Sequence, residues 1–436
     1  MHFVYQVGAW ILFALIWPLW LFHPKIRHGL RERLGFYRGP IGQRASAGPC
    51  AGPRIWLHGA SAGDLLALLP VIDGLRRRLP DATLIVSTLT NSGRLMAHER
   101  LAGVDAVLYL PYDLPGATRR AMEAVRPDLL VLEYTEIWPS LIHAARRHGA
   151  RIALTNGRFS ARHLREYRWL FALIGNPLHD VDLLLMREDV EAERAIALGA
   201  PLDRVWVTGN TKFDALLHNE RIVEEPGLAR ALGGGEPSAP LLIAGSTHEG
   251  EETLLLDVLG RLRGDYPRLR LVIAPRYLER TQKLLVAARD RGFRTALRSS
   301  GADGQPADVV ILDTMGELGQ AYRLATLVFV GGSFTRRGGQ NILEPADAGK
   351  PVLFGPNMDN FHDSVQVLVG RGGIQVKDPE HLYRVLHDLL GRPDRIAELG
   401  AMARAAVTTV RGAGQRDVDH LVRLLEERRG AGQRAA

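Results

Sequence analysis

Residues 55–64 read IWLHGASAGD: a short apolar run ending at His58, a turn of small residues and, from Asp64, the start of a helical pattern. The same succession of apolar run and helix-length stretch continues through the first half of the chain. The apolar runs lie at residues 55–58, 83–88, 106–110, 129–132, 152–155, 183–186 and 205–208. Short apolar strands that alternate with helices are typical of a parallel sheet covered on both faces. The sequence therefore predicts an α/β fold.

The alternation stops between residues 219 and 240, where the sequence contains three consecutive glycines and several prolines. We interpret this stretch as a linker. The alternation then restarts, with apolar runs at residues 241–245, 269–274, 309–312, 327–330, 352–354 and 374–376. We predict two Rossmann-like, doubly wound domains that face a cleft, residues 54–218 and residues 241–436, the second including the closing Arg-rich helices.

Composition excludes several classes of protein. The 436 residues are 46% apolar, which is ample for buried cores and rules out wholesale disorder. Lys and Arg exceed Asp and Glu by +7, an excess that favours an anionic partner. The single cysteine, Cys50, cannot form an intramolecular disulfide, so the chain is not a disulfide-stapled secreted protein.

The N-terminus carries a stretch of twenty uncharged residues, 3–22, close to the ~20 that cross a bilayer as a helix. Five Lys and Arg follow between residues 25 and 38 and none precedes it, which predicts that the rest of the chain stays in the cytoplasm. We predict a membrane anchor at residues 1–24 and a basic juxtamembrane segment at residues 25–53, whose charges we expect to face anionic lipid. A helix lying in the membrane interface and a buried amphipathic helix remain alternatives.

Polar residues follow the strands of the first half, at the end of a parallel sheet where ligands bind. Asp64 is either a general base or a helix-start carboxylate without chemistry. Glu133 and Glu136 follow the fourth apolar run, although the strands are otherwise apolar. Arg158 and Lys212 follow the fifth and seventh runs and could stabilise an anionic substrate or leaving group.

Glycine-rich turns follow the strands of the second half. They include GSTHEG at residues 245–250, GGS at 331–333 and GGQNILEP at 338–345, and Arg276 follows the second strand. Glycines, hydroxyls and an Arg next to a helix start suit a nucleotide phosphate, and Glu344 could accept hydrogen bonds from ribose hydroxyls. We therefore expect a nucleotide in the second domain.

Other classes find less support. The chain has neither the Gly-x-Gly-x-x-Gly fingerprint of dinucleotide binding nor a P-loop. Residues 59–63 match the Gly-x-Ser-x-Gly elbow of esterases, but a hydrolase sheet has several strands before its elbow. We interpret Asp180, Asp182, Asp417 and Asp419 as solvated carboxylates and predict no metal site. Basic and aromatic residues are not interleaved, so we predict no nucleic-acid partner.

Taken in order, these motifs resemble those of the 3-deoxy-D-manno-octulosonic acid (Kdo) transferase family. The matching segments are residues 58–64, 136–139, 209–214, 246–252, 275–276, 315–317, 331–333, 338–345 and 355–361. The resemblance implies a GT-B fold, a CMP-Kdo donor held by the C-terminal domain and a lipid A precursor (lipid IVA) as acceptor. It also implies an inverting transfer without metal or other cofactor, at the cytoplasmic face of the bacterial inner membrane.

Carried over by position, the resemblance places the general base at Asp64 and a transition-state-stabilising lysine at Lys212, with Glu133 and Glu136 as further catalytic candidates. The donor-binding positions are Ser246, Pro275, Arg276, Met315, Gly316, Glu317, Asn341, Ile342, Leu343 and Glu344.

Three positions depart from the family pattern. Asp64 stands where the family has Glu, Tyr134 replaces the first Glu of Glu-Thr-Glu with Glu133 one residue earlier, and Gln340 stands where many members have His. A shift of one residue along a strand moves a side chain to the opposite face. Two alternatives therefore stay open: a divergent member with another acceptor or donor sugar, and a catalytically weak, nucleotide-binding membrane paralogue.

Overall fold

The computed structural model describes residues 28–37, 52–217, 227–232, 239–300 and 307–435, with seven separate residues between 5 and 14. The described residues up to Ala215 and those from Arg411 onward form one compact unit, and Leu216–Val410 form a second.

The first unit contains seven strands and the helices that cover them. Its strands are β1 Arg54–His58, β2 Thr83–Thr88, β3 Ala106–Tyr109, β4 Leu129–Glu133, β5 Arg151–Gly157, β6 Leu183–Met186 and β7 Val205–Val207. Its α-helices are α1 Leu30–Arg33, α2 Ala62–Arg78, α3 Asn91–Arg100, α4 Pro115–Val125, α5 Pro139–Arg147, α6 Leu164–Ile174, α7 Asp189–Ala197 and the final helix Ala413–Ala435, with α8 Thr211–Leu217 crossing into the second unit.

The second unit repeats the plan. Its strands are β8 Leu241–Thr247, β9 Arg270–Pro275, β10 Thr295–Leu297, β11 Val309–Ile311, β12 Leu327–Val330, β13 Val352–Phe354 and β14 Gly373–Gln375. Its α-helices are α9 Leu228–Ala231, α10 Glu251–Leu262, α11 Thr281–Asp290, α12 Leu318–Leu324, α13 Leu343–Asp347, α14 His362–Leu368, α15 Pro379–Leu390 and α16 Pro393–Val410, so that the final helix is α17.

Each sheet is parallel and doubly wound, as the apolar runs predict. The strand orders are β3-β2-β1-β4-β5-β6-β7 and β10-β11-β9-β8-β12-β13-β14. The order reverses between β1 and β4 in the first sheet and between β8 and β12 in the second. Ligands of such sheets bind at these switch points, outside the carboxyl ends of the strands. The α/β prediction is confirmed, and β10 is the strand that the apolar runs do not reveal.

The core explains why the strands are continuously apolar. In β1, Ile55 and Leu57 face one helical layer while Trp56, between them, faces the other, and all three are fully buried. Burial on both faces leaves no polar side in a strand, which is the pattern of a covered parallel sheet.

The final helix, α17, covers the first sheet, whereas we predicted from the sequence that it belongs to the second domain, residues 241–436. Val418, Leu421 and Val422 of α17 join the core formed by α2, and Gly74 of α2 lies directly under Val418. The apolar face of α17 fits any covered sheet equally well, so the pattern alone does not reveal its partner.

The stretch interpreted as a linker also contains structure. Of residues 219–240, the structure describes 227–232 and 239–240. Leu228 and Leu232, at and just after α9, are fully buried, so this part belongs to the second unit.

The predicted anchor at residues 1–24 lies mostly outside the described residues and stays a prediction. Across the part of the chain that the structure describes, no helix is both long and apolar enough to cross a bilayer. The Tyr5 hydroxyl donates a hydrogen bond to Asp113 (2.6 Å), and the Phe13 ring lies 5.7 Å from that of Tyr112. These two N-terminal residues therefore contact the first unit.

The basic juxtamembrane segment differs from its prediction at Arg33. Its side chain is buried, donates to the Leu89 carbonyl oxygen (2.5 Å) and stacks 4.5 Å from the Tyr109 ring centre. The neighbouring Glu32 forms an ion pair with Arg94 (3.0 Å). The expectation that Arg33 faces lipid is wrong, because its charge holds α1 onto the sheet.

Candidate active site

The turn after β1 places Asp64 at the start of α2. Its Oδ2 accepts hydrogen bonds from the Ser61 backbone N–H (2.7 Å) and the Ser61 hydroxyl (2.9 Å). A carboxylate is favoured at a helix N-terminus, and this one stays partly exposed. Asp64 therefore begins the helix and also presents a fixed carboxylate at the β1–β4 switch point.

The loop after β4 brings Glu136 towards β1. Its Oε2 accepts a hydrogen bond from Trp138 Nε1 (2.9 Å) and lies 3.5 Å from Nε2 of His58, which is fully buried at the end of β1. The other ring nitrogen of His58 lies 3.1 Å from the Ser87 carbonyl oxygen at the end of β2. His58 thus links the ends of β1 and β2 through Ser87, and its other ring nitrogen faces the Glu136 carboxylate.

This geometry gives no support to an esterase. A nucleophilic serine needs a base within hydrogen-bond reach, usually a histidine. Among the described residues, no histidine hydrogen-bonds to Ser61, whose hydroxyl donates to Asp64 instead.

Glu133 lies behind this edge, fully buried at the end of β4. It accepts hydrogen bonds from the Thr155 hydroxyl (2.7 Å) and from Asn156 Nδ2 (2.9 Å). Burial raises the pKa of Glu133 well above its usual range, and the charges of Asp417 and Asp64 raise it further. The Glu133 side chain therefore does not reach the surface of the first unit.

The residues at the ends of β4 and β5 have unusual backbone conformations. Tyr134 and Asn156 both occupy the left-handed region, with φ of 56° and 53°. This region is costly for a residue with a side chain, most of all for a bulky one, and such residues concentrate at functional sites. The departure from the family pattern at Tyr134 therefore coincides with a strained position.

The segment after β7 carries Lys212 and Asp214, whose side chains have different surroundings. Among the described residues Lys212 makes no ion pair, and its backbone N–H is held by Asn210 Oδ1 (3.0 Å). The Asp214 carboxylate accepts from the backbone N–H groups of Gly412 and Gly414 (both 2.7 Å), which fixes the start of α17. β7 is four strand spacings from β1, roughly 19 Å, so Lys212 is not brought into contact with Asp64. Arg158, the other cation of this edge, is directed at Glu191 (3.9 Å).

In the second unit, Glu251 connects the two loops that form the switch point. It is buried at the start of α10, after β8, and accepts four backbone hydrogen bonds. The donors are the N–H groups of His248 (2.9 Å), Gly332 (2.8 Å), Ser333 (3.0 Å) and Phe334 (2.9 Å). One carboxylate thereby fixes the glycine loop after β12 against the loop after β8.

Cations surround the same switch point. Arg280 is paired with Glu249 (3.1 Å) and Glu252 (3.3 Å), whereas Arg276 and Arg337 make no ion pair among the described residues. Burial lowers the pKa of His248, and the charges of Arg337, Arg276 and Arg280 lower it further, against the opposing effect of Glu251. Two guanidinium groups without an ion pair among the described residues, Arg276 and Arg337, are an arrangement suited to an anionic ligand.

The predicted donor-binding residues all follow strands of this second sheet. Pro275 ends β9 and Arg276 follows it. Ser246 lies near the end of β8 with φ of 54°, and Met315, after β11, is 77% exposed. Next to Met315, Gly316 has φ of 84°, and Glu317 pairs with Arg298 (2.8 Å). Parallel strands end at one edge, so these residues share it.

Most residues of segment 341–344 have structural contacts within the second unit. Asn341 Nδ2 donates to the Leu216 carbonyl oxygen (2.8 Å) and its Oδ1 accepts from the Leu343 N–H (3.0 Å), which begins α13. Ile342 and Leu343 are fully buried, while Glu344 remains partly exposed. In this segment, Glu344 is therefore the side chain best placed to meet a ligand.

Sequence reasoning missed the structural role of Glu251 at the second switch point and misjudged two acids. Asp417 is fully buried rather than solvated, and burial raises its pKa to about 8. Asp182 is largely buried and pairs with Arg146 (2.9 Å) and Arg151 (2.8 Å). The position of Glu251 directly after the glycine-containing turn at residues 245–250 could have drawn attention to it. The four backbone N–H groups that donate to its buried carboxylate come largely from a distant loop and cannot be seen in the sequence.

Two parallel, doubly wound seven-stranded sheets, each with polar residues at its switch point, have the architecture of the GT-B fold class. The crystal structure of UDP-GlcNAc 2-epimerase from Neisseria meningitidis bound to UDP-GlcNAc has this fold, with a TM-score of 0.55, 14% identity, and coverage of 85% of this chain and 100% of that one. At that identity the likeness concerns the fold alone.

Sequence relatives identify the family. The family described as "3-Deoxy-D-manno-octulosonic-acid transferase (kdotransferase)" matches residues 28–215. The 3-deoxy-D-manno-octulosonic acid transferase of Bordetella pertussis is 34% identical over 96% of this chain and 98% of its own length. That of Haemophilus influenzae is 31% identical over 92% and 93%. The chain belongs to the 3-deoxy-D-manno-octulosonic acid transferase family.

Proposed function

We propose that this protein transfers Kdo from CMP-Kdo to a lipid A precursor, with inversion at the anomeric carbon, in lipopolysaccharide inner-core synthesis. The observation that carries the proposal is a pair of cations, Arg276 and Arg337, near the glycine loop that Glu251 fixes in the second unit; neither makes an ion pair within the described part of the chain. Family membership supplies the sugar and the acceptor class.

The donor suits these residues because it carries two anionic groups, the phosphate of CMP and the carboxylate of Kdo. Arg276 and Arg337 would bind them with charge-assisted hydrogen bonds. Glu344 would accept hydrogen bonds from the ribose hydroxyls. No metal or cofactor enters this proposal, since the guanidinium groups balance the phosphate charge.

Asp64 would act as the general base in the first unit. Its carboxylate takes the proton of the acceptor hydroxyl, whose oxygen forms a bond to the anomeric carbon from the face opposite CMP. The bond between that carbon and the phosphate oxygen breaks, and CMP departs with the electron pair. Lys212 would offset the charge that grows on CMP. Glu136, whose carboxylate accepts a hydrogen bond from Trp138 Nε1, would orient the acceptor beside Asp64.

The acceptor is a membrane lipid, so the proposal includes a place at the cytoplasmic face of the bacterial inner membrane. The uncharged stretch at residues 3–22, with the basic residues after it, supports an N-terminal anchor.

The test is transfer of Kdo from CMP-Kdo to a tetraacyl lipid A precursor in detergent. We expect turnover by the unaltered protein and a loss of about a hundredfold or more in Asp64→Ala, the usual contribution of a general base. Asp81→Asn, an exposed acid beyond the same helix, is the matched control and should keep full activity.

Absence of transfer by the unaltered protein would refute the function, and full activity of Asp64→Ala would refute the assignment of the base. Isothermal titration with CMP and with UDP separates the proposal from a member with another donor: we expect CMP to bind more tightly.

A further inference from the structure

Helix α6 has one apolar face that packs into the first unit. Leu164, Tyr167, Phe171 and Ile174 recur at the spacing of one helix face, and all contact the core or lie within it. Tyr167 packs edge-on against Phe159, with 5.8 Å between the ring centres. This face accounts for the position of the helix in the fold.

A second apolar group lies on the outer side of α6. Trp169 is 70% exposed, Leu173 46% and Leu170 38%. At 100° per residue, Trp169 projects away from the buried face. A surface helix of a globular protein is normally polar there. Trp169, Leu170 and Leu173, called here the outer patch, therefore remain exposed where polar residues are the norm.

Arginines surround the outer patch. Arg162, Arg165 and Arg168 are exposed, and among the described residues they make no ion pair. The acid on the same helix, Glu166, is bound to His163. A helix with Trp and Leu on one side and Arg at its flanks is typical of segments that lie in the interface of an anionic membrane.

The inner face of α6 places this surface next to the candidate acceptor residues. Tyr167 lies close enough to Glu136 for that carboxylate to raise its pKa, together with burial and with Glu166. Trp138, which donates to Glu136, packs against the same core. Helix α6, and the outer patch with it, therefore packs beside the strand ends near which Glu136 lies.

We propose that α6 is a membrane-contact helix, with the outer patch inserted among lipid chains and Arg162, Arg165 and Arg168 at anionic headgroups. The proposal deepens the proposed function and rests on it for its purpose, delivery of a lipid acceptor to Glu136 and Asp64. An anionic membrane is the occupant that charge complementarity favours, because exposed arginines beside tryptophan and leucine match anionic headgroups above acyl chains.

The test uses the full chain with Cys50→Ser, which removes the single cysteine, and Leu173→Cys labelled with an environment-sensitive fluorophore. The matched control is the same label at Leu202→Cys, an apolar residue of the first unit that is 72% exposed. Both proteins are mixed with vesicles of phosphatidylglycerol and phosphatidylethanolamine. The N-terminal stretch can tether both equally, so only contact by α6 distinguishes the two labels.

We expect the label at position 173 to shift to the blue and to become protected from iodide, while the label at 202 stays accessible. Adding Trp169→Glu should restore iodide access. Each Arg→Gln change among the three arginines should weaken the protected state by about fivefold at low salt.

Equal iodide access at both positions on anionic vesicles would overturn the proposal. So would protection at 173 without vesicles, which would indicate a second copy, or equal protection on neutral phosphatidylcholine. Transfer to acceptor in detergent is measured separately, so failure of the proposed function and failure of the membrane contact are distinguishable.

Discussion

Asp417 is expected to make the first unit less stable as pH rises, and Asp417→Asn to remove this effect. The side chain is fully buried in α17. Neither of its carboxylate oxygens has a hydrogen-bond partner of good geometry within the described residues. Burial raises its pKa to about 8; the Thr208 hydroxyl and Arg416 lower it, and Asp214 raises it. Asp417 also raises the pKa of Glu133.

The sign follows from proton binding. The unfolded chain releases the Asp417 proton near pH 4, whereas the folded chain holds it until about pH 8. Between these values the folded state binds one more proton, so stability falls as pH rises, by about 1.4 kcal/mol per pH unit. Between pH 5 and 8 the loss is at most about 4 kcal/mol, reduced by water entry and by coupling to Glu133. Asparagine has nearly the same shape and no charge to bury.

The assay is urea unfolding followed by tryptophan fluorescence at pH 5, 7 and 8.5. All seven tryptophans lie between residues 10 and 206, so fluorescence reports on the first unit. Asp417→Asn should match the unaltered protein at pH 5 and exceed it increasingly at higher pH. Asp419→Asn, exposed on the same helix, is the control and should show no such divergence. Parallel pH curves, or an Asp417→Asn variant less stable at every pH, would refute the reasoning.

Three further changes test the two switch points. Glu251→Gln should destabilise the glycine loop by about 2–4 kcal/mol, because the amide NH₂ of the new glutamine faces backbone N–H donors. Hydrogen exchange of the loop amides measures this loss of stability, and the control Glu249→Gln should leave their exchange unchanged. Ser61→Ala should lower kcat for Kdo transfer about tenfold with KM for the donor unchanged, since Asp64 loses its support; steady-state kinetics with an unaltered kcat would contradict this. Arg276→Gln should raise the Kd for CMP about tenfold by titration, and an unchanged Kd would exclude Arg276 from the phosphate contacts.

The strands and the edge that carries the site could be predicted because their causes are local. A strand buried on both faces must be apolar along its length, so Ile55, Trp56 and Leu57 reveal β1 without any partner. The carboxyl ends of parallel strands then meet at one edge, which places Asp64 and Glu136 together before any distance is known.

What sequence could not provide depends on contacts between distant segments. Nothing in the local pattern around Asp417 distinguishes a solvated helix acid from a buried one whose charge acts on Glu133, because Glu133 is 284 positions away in the sequence. Arg33 likewise looks like one more juxtamembrane cation, until the Tyr109 ring beneath it is known. The short strand β10 has only three partly buried residues and so lacks the apolar run that marks the others.

The attachment of α17 to the first unit has a consequence for biosynthesis. The ribosome makes the sheet that carries Asp64 first, then all 195 residues from Leu216 to Val410, and only afterwards the helix that covers Leu65 and Leu68. At 5–20 residues per second this interval is about 10–40 s. During it the apolar surface of α2 is uncovered, which makes the nascent chain a substrate for chaperones, while the uninterrupted second unit can complete its fold.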